Sequence, residues 1–176
     1  MRNIIMKYAL YFVALVLIQV LVLNNVQLSS FLNPYAYILF IIILPFETPG
    51  WLLLLSGFFL GMTMDIFPQG WSGAGSTLGI HSFATVFMAF TRPLILKWIN
   101  PRDEYEPGSE PSASDYGFRW YIVYSLLMIS LHHLVLFVME SMSISHLPEV
   151  LGRTVLSVLF TFVLILIWEG FRYKRR

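Results

Sequence analysis

The sequence contains no cysteine, which excludes disulfides, thiolate metal sites and a cysteine nucleophile. Charged residues are also scarce: they make up 12% of the 176 residues, whereas soluble proteins carry about 25%. Hydrophobic residues account for 57% of the chain, and no polar stretch is long enough to fold as a separate soluble domain. The net charge of +1 provides no large basic surface for nucleic acid. We therefore expect one integral membrane domain over residues 1–176, with no nucleic-acid partner.

The motifs of common catalytic and nucleotide-binding sites are missing as well. The chain has no G-x-S-x-G, Walker loop, H-E-x-x-H or G-x-G-x-x-G. His132 and His133 are adjacent, so on a helix their side chains point about 100° apart and do not share a face as a metal pair would. We expect buried histidines bonded to neighbouring helices, with no metal and no cofactor. An intramembrane enzyme built on these histidines and Glu140 is the weakest functional hypothesis.

Apolar runs predict an all-α chain with six membrane spans. Their approximate bounds are 8–23, 28–44, 51–67, 80–99, 120–139 and 150–171. The first has the basic flank and apolar run of a secretory signal, but no small-x-small cleavage site follows, so we expect it to be retained. In the second, residues 35–44 cover only about 15 Å as a helix, and the residues that restore its length include Pro34. A kinked helix and a re-entrant segment both remain open there.

Positive charge predicts the orientation of these spans. The basic residues outside the apolar runs fall on one side of a six-span arrangement, and the three connections on the other side hold no Lys or Arg. The basic side is therefore expected to be cytoplasmic, with both termini inside. The one sizeable loop, residues 100–116, lies on that side and is acidic and rich in proline and serine. We interpret it as a mobile, solvated linker rather than a docking peptide.

Ionisable residues within the apolar runs are the candidate functional residues, because charge at membrane depth is costly. Asp65 ends the third span, His81 begins the fourth after a Gly-rich connection, and Arg153 lies about one turn into the sixth. We expect these three to form a polar cluster at the outer face. A pairing of Asp65 with Arg153 would be either a gated polar site or a fixed strap between helices, and we prefer the strap. Arg92 precedes Pro93 and is expected to snorkel in a structural role.

Two glycines create a narrow face on the third span. Gly57 and Gly61 are four residues apart, which is the small-xxx-small spacing that lets a second helix approach closely. That second helix belongs either to the same bundle or to a partner protein, and the sequence leaves both possibilities open.

The centre of the chain resembles the MreD family, the integral membrane subunit of the bacterial rod-shape (elongation) system. The resemblance is carried by LPFETPGWLLLLSGFFLGMTMDIF and the following GSTLGIHSFATVFMAFTRP, with further similarity in VLVLNNVQLSSFLNPYAYILF and PRDEYEPG, and it covers most of the chain. The family signature is a Gly-rich span ending in aspartate, then a glycine-containing loop and a helix that starts with small residues. It maps onto Gly57, Gly61, Asp65, Gly75, Gly79, His81 and Ser82.

This resemblance implies a non-enzymatic, multi-pass protein of the bacterial inner membrane. MreD proteins work with the bitopic protein MreC and, through it, with MreB, a RodA-type glycosyltransferase and a penicillin-binding transpeptidase. The family is also similar in fold to the substrate-binding subunits of energy-coupling-factor transporters, which are six-helix bundles. That similarity supports an alternative function, a small-molecule-binding subunit of a membrane transporter. The alternative would place a ligand near Asp65, His81 and Arg153, in a cavity of about 300 Å³ or more.

Overall fold

The computed structural model describes residues 2–25, 33–67, 79–101, 105–141 and 147–174. Within these ranges the chain is helical and contains no strand. The helices are α1 (Arg2–Leu21), α2 (Leu39–Ile43), α3 (Gly50–Ile66), α4 (Ile80–Trp98), α5 (Ala113–Tyr116), α6 (Phe118–Ser141) and α7 (Leu147–Tyr173). Short 3-10 turns cover Leu23–Asn25 and Ala36–Ile38. The all-α prediction is confirmed for this part of the chain.

Three helical stretches are long and apolar enough to cross a membrane: Ile5–Asn25, α6 and α7. Helix α3 is also apolar but has 17 residues. Large hydrophobic side chains face outward, among them Leu10 with 63% of its surface exposed and Phe90 with 62%. An apolar surface of this extent is unfavourable in water, but it is suited to contact with the hydrocarbon core of a membrane. The helices and their outer faces therefore indicate a membrane-associated protein.

The bundle has two chemically different ends. At the basic end, Lys7 of α1 and Arg172 of α7 both pair with Glu110. At the opposite end, the side-chain amide of Asn24 donates to the carbonyl oxygen of Phe67 at 3.0 Å, which joins the end of α1 to the end of α3.

Residues 33–45, here called the central segment, occupy the core of the bundle. All ten residues from Tyr35 to Leu44 are buried. Their helical part, from Ala36 to Ile43, is only about 13 Å long. The predicted second span is thus enclosed by other helices in its described part. Residues 28–32 lie outside the described residues, so a kinked helix and a re-entrant segment both stay open.

The prediction of a solvated linker over residues 100–116 is wrong for residues 109–113, which are buried or half-buried, whereas residues 106–108 are exposed as expected. The backbone N–H of Phe46 donates to the carbonyl oxygen of Ser109 at 3.2 Å, and the rings of Phe46 and Tyr105 stack with centroids 4.1 Å apart. Burial raises the pKa of the Tyr105 hydroxyl to about 12, and Ala113 is also buried. The acidic composition suggested solvation, but Glu110 is neutralised by cations of α1 and α7. Residues 102–104 lie outside the described residues.

Candidate functional site

Asp65, at the end of α3, caps the first turn of α4. Its Oδ1 accepts a hydrogen bond from the His81 backbone N–H at 3.0 Å. Its Oδ2 accepts from the Ser82 backbone N–H at 3.0 Å and from the Ser82 hydroxyl at 2.7 Å. The first N–H groups of a helix have no intrahelical partner and carry partial positive charge, so a carboxylate both satisfies and complements them. Just before this turn, Gly79 has φ +92°, a left-handed conformation that favours glycine.

The glycine face of α3 packs against α4 of the same chain. A Cβ atom at position 61 would lie 2.5 Å from the His81 carbonyl oxygen, and one at position 57 would lie 3.0 Å from the Thr85 carbonyl oxygen. Both glycines therefore permit a backbone approach that no other residue would allow without movement. Of the two possibilities that the sequence left open, the structure selects helix packing within the bundle. A partner protein does not have access to this face.

His81 connects α4 to the central segment and, through it, to α6. The Tyr37 hydroxyl lies 3.0 Å from His81 Nδ1 and 2.9 Å from His132 Nε2. A tyrosine hydroxyl carries one proton, so with both rings neutral it donates to one ring and accepts from the other. The tautomers of the two histidines are therefore linked. All three side chains are buried.

His133 belongs to a neighbouring contact between α6 and α7. Its Nδ1 lies 2.9 Å from the Ile129 carbonyl oxygen, and its Nε2 lies 3.2 Å from the Thr161 hydroxyl. The expectation that the histidines are buried and bonded to neighbouring helices is confirmed. Within the ranges that the structure covers, no three His, Asp or Glu side chains are placed to hold a metal ion.

Arg153 is separate from the Asp65–His81 contact. Its Nη2 lies 3.2 Å from Glu140 Oε2, and its guanidinium lies over the Phe137 ring, 4.5 Å from the centroid. Of the three residues predicted to form one polar cluster, Asp65 and His81 therefore meet, and Arg153 does not join them. A strap exists, but it joins α7 to α6 because Glu140, near the end of α6, is the nearer carboxylate. A cavity of about 270 Å³ opens beside this strap, lined by Glu140, Ser141, Glu149, Val150 and Arg153.

Polar side chains of α1 and α7 hydrogen-bond the irregular backbone at the start of the central segment. Bonds run from Asn33 N to Ser157 Oγ (3.1 Å), from Tyr35 N to Thr161 Oγ1 (3.1 Å) and from Gln19 Nε2 to the Pro34 carbonyl oxygen (2.9 Å). Non-helical backbone is tolerated at membrane depth only where protein groups replace water as partners. These buried polar residues, which the sequence analysis did not single out, make a short central segment possible.

Arg92 satisfies the other end of the central segment. Its guanidinium donates to the carbonyl oxygens of Leu44 and Pro45, and its Nε donates to the Tyr124 hydroxyl at 2.8 Å. The Tyr124 hydroxyl in turn donates to the Ile42 carbonyl oxygen at 3.1 Å. Carbonyls at a helix C-terminus lack intrahelical partners and carry partial negative charge, which a cation complements. Arg92 therefore has the structural role that was expected. It does not snorkel toward the membrane surface, because it is only 1% exposed and points into the bundle.

A second charged cluster, at the basic end, fastens the loop before α5 to the first and last helices. Glu110 pairs with Lys7, accepts from the Tyr8 hydroxyl at 2.6 Å and pairs with Arg172 at 3.3 Å. Partial burial raises the pKa of the Glu110 carboxyl, but the hydrogen bonds from Lys7 and Tyr8 and the nearby positive charges outweigh it. The net effect is a pKa below the usual value. Glu169, 1% exposed, lies 3.5 Å from Arg172 and accepts from the backbone N–H at position 113. No pattern in the sequence indicates this cluster.

The membrane-facing side of the bundle has an open channel between α1 and α3, here called the lateral groove. Its volume is about 500 Å³. Its walls are almost entirely apolar, formed by Phe12 of α1 and by Leu52, Leu55, Ser56, Phe59, Met62, Thr63 and Ile66 of α3.

Comparison of the chain with protein-family models, with curated proteins and with solved structures finds no match.

The residues that carry the MreD resemblance do converge in space. Five of them form one contact between α3 and α4: Gly57, Gly61, Asp65, His81 and Ser82. Gly79 makes the turn before it, and Gly75 lies outside the described residues. This pattern of glycines and aspartate therefore has a physical meaning in this chain. Small residues allow close packing, and the aspartate caps the helix that packs.

Proposed function

We propose that this chain is a non-enzymatic membrane subunit of the MreD kind, in the bacterial inner membrane. In this role it binds an MreC-like bitopic protein. Through that protein it supports MreB, a RodA-type glycosyltransferase and a penicillin-binding transpeptidase in peptidoglycan synthesis and cell shape. The proposal rests on the motif resemblance together with the structural role of the motif residues.

One observation carries the proposal: three buried polar side chains, Asp65, Arg92 and Tyr37, hold the chain's own helices together. Asp65 caps α4, Arg92 caps the central segment, and Tyr37 joins two histidines. Groups bonded in this way act as structural links rather than as a poised acid, base or nucleophile. The open surface of the bundle is instead lateral and apolar, which is suited to protein contacts within a membrane.

The proposal includes a six-span topology with the basic end in the cytoplasm. The six crossings would be α1, the chain through the central segment, α3, α4, α6 and α7. Helix α4, with 19 residues, is about 28 Å long, close to the thickness of the hydrocarbon core. The cations at the basic end, Lys7 and Arg172 among them, would then follow the positive-inside rule. A bundle of this kind would be similar to the substrate-binding subunits of energy-coupling-factor transporters.

The alternative, a small-molecule-binding subunit of a transporter, is favoured by one observation. The cavity beside Arg153 at the opposite end has polar walls and a volume of about 270 Å³. It is smaller than the usual ligand pocket of about 300 Å³ or more, and neither Asp65 nor His81 lines it. The position along the bundle axis is filled by buried side chains from Tyr35 to Leu44. The interaction role therefore has the stronger support.

Co-purification from native membranes tests the proposal. The tagged protein is extracted in a mild detergent, and its partners are identified by mass spectrometry, with an unrelated tagged six-span protein as the control. We expect an MreC-like protein and wall synthases, and loss of rod shape when the chain is depleted. Recovery of a transporter ATPase module would support the alternative. Normal cell shape after depletion, with no MreC-like protein recovered, would contradict the proposal.

A further inference from the structure

Helix α3 has two opposite faces with different environments. Successive residues of a helix are rotated by about 100°, so Phe59 lies about 200° around the axis from Gly61. The glycine face is covered by α4. The face that carries Phe59 forms the wall of the lateral groove. The sequence indicated the glycine face as a possible partner surface. The face that is free in the structure is instead the one that carries Phe59.

The groove face of α3 is a continuous stripe. Leu52, Leu55, Ser56, Phe59, Thr63 and Ile66 recur at the i, i+3, i+4 and i+7 spacing of one helix face. From the first to the last of these residues the stripe is about 21 Å long. It therefore follows α3 through most of the hydrocarbon thickness, as a helix packed lengthwise against it would require.

Among the described residues, the helices on either side of this stripe leave much of their surface exposed. In the most apolar part of the stretch Ile5–Asn25, 11% of the residues are buried. In the corresponding part of α6, 44% are buried. Within the groove, Phe59 and Ile66 are both 54% exposed. Within the part of the chain that the structure describes, α1 contributes one side chain, Phe12, to the edge of the channel.

We propose that the lateral groove is the docking surface for a single transmembrane helix of a partner protein, whose basic flank lies at the basic end of the bundle. This inference rests on the proposed function, because it names the surface that binds the MreC-like partner.

Ser56 favours a helix over a lipid chain as the occupant. It lies within the stripe, about one turn from Leu52, where a small side chain allows the backbone of a second helix to approach. Its hydroxyl makes no hydrogen bond to another residue of the described ranges, whereas Thr63 nearby donates to the Phe59 carbonyl oxygen at 2.8 Å. A transmembrane helix offers polar side chains or tilted carbonyls as partners for this hydroxyl. A hydrocarbon chain offers none.

Charge complementarity fixes the direction of the docked helix. Glu47 lies in the turn before α3, at the end of the stripe that begins with Leu52. It is exposed and forms no ion pair with any residue in the part of the chain that the structure covers. Glu110 and Glu169, by contrast, already pair with Arg172. Single-span proteins carry Lys and Arg at their cytoplasmic flank, and such a cation meets Glu47 when the helix lies in the groove.

Photo-crosslinking at matched positions tests the proposal in native membranes. p-Benzoylphenylalanine is introduced at Phe59, in the groove, or at Leu159 of α7, which is equally exposed at 55% but does not line the groove. We expect ultraviolet light to give an adduct at position 59, with the crosslinked peptide inside the transmembrane segment of the co-purifying bitopic protein, and none at position 159. An adduct with a lipid, an adduct with a second copy of this chain, or equal adducts at both positions would overturn it.

Two substitutions separate failure of this inference from failure of the proposed function. Ser56→Trp fills the groove, and we expect recovery of the MreC-like protein to fall roughly tenfold, whereas Leu159→Trp leaves it unchanged. Glu47→Lys is expected to reduce recovery more than Glu106→Lys, a second exposed glutamate at the basic end. Undiminished recovery with Ser56→Trp would overturn the docking surface but leave the proposed function intact. Absence of the partner from the unmodified protein would contradict both.

Discussion

The two faces of α3 show how one helix serves two purposes. On the glycine face, the α4 backbone comes so close that a methyl group at position 61 would lie 2.5 Å from a carbonyl oxygen. On the opposite face the groove leaves about 500 Å³ open. A glycine pair in a membrane span is commonly interpreted as a partner interface, but here it marks the tightest contact within the chain. The comparison shows that a glycine pair can be covered by a helix of the same chain. The face that is open to a partner is then the opposite one.

The largest expected effect is that of Gly61→Ala. The added Cβ would overlap the α4 backbone, which cannot move away like a flexible side chain, so we expect a loss of about 3 kcal/mol of unfolding free energy. Gly57→Ala, with its nearest atom at 3.0 Å, should cost about 1 kcal/mol. Thermal unfolding in detergent, followed by size-exclusion chromatography, measures both. Ser56→Ala on the groove face is the control, and equal melting temperatures for all three variants would contradict the difference between the faces.

Arg92→Met is expected to have the next largest effect. The substitution keeps an apolar stem but leaves the Leu44 carbonyl and the Tyr124 hydroxyl without the Arg92 donor, at a cost of about 2–3 kcal/mol, whereas the Pro45 carbonyl keeps its hydrogen bonds from Thr48. The same unfolding assay measures it, with Lys97→Met as a control on the same helix. A stable Arg92→Met protein would show that the central segment does not depend on this cap.

Asp65→Asn should cost about 2 kcal/mol. Asparagine keeps one acceptor oxygen but removes the charge that complements the α4 N-terminus, and its amide nitrogen, itself a donor, faces the donors of either His81 or Ser82. Glu106→Gln is the matched control, because this exposed carboxylate lies outside the apolar region. We expect the aspartate variant to impair both stability and rod shape more strongly. Equal and negligible effects of the two substitutions would remove Asp65 from the account.

The smallest expected effect is pH-dependent and concerns Glu110. The pKa of its carboxyl is lower in the folded protein than its usual value, because hydrogen bonds and cations outweigh partial burial. A group with a lowered folded pKa stabilises the protein above its ordinary pKa, and this contribution is lost as the pH falls through the folded value. We therefore expect the contribution to be constant above about pH 5 and to decline below it, amounting to less than about 1 kcal/mol after solvent screening.

Glu110→Gln tests this expectation. The variant should lose less stability than the unmodified protein when the melting temperature is compared at about pH 6 and at about pH 3.5. An identical pH profile for the two proteins would show that the cluster with Lys7 and Arg172 does not contribute.

The helices could largely be predicted from the sequence because uninterrupted apolar runs determine them. The runs 51–67 and 80–99 correspond to the helices Gly50–Ile66 and Ile80–Trp98. The run 120–139 corresponds to Phe118–Ser141. Apolar length alone is sufficient for such elements. It also correctly marked residues 35–44 as unusually short, although it gave no indication that they would be enclosed.

The partners of the buried charges could not be predicted. The sequence identifies Asp65, Arg92 and Arg153 as costly to bury, but not which group compensates each. Asp65 finds backbone N–H groups 16 and 17 residues away, and Arg92 reaches carbonyls 47 and 48 residues away. Backbone groups carry no signature in the sequence, so a charge–charge pairing of Asp65 with Arg153 was the natural but incorrect choice. The prediction of a solvated linker was wrong at Glu110 for the same reason, because its ion-pair partner Lys7 lies 103 residues away in the sequence.

The most direct test of the account compares Gly61→Ala and Ser56→Trp in two assays, thermal stability and recovery of the MreC-like partner. We predict that Gly61→Ala lowers the melting temperature, whereas Ser56→Trp leaves it unchanged and loses the partner. The account would be contradicted if Ser56→Trp retained the partner, or if Gly61→Ala proved as stable as the unmodified protein.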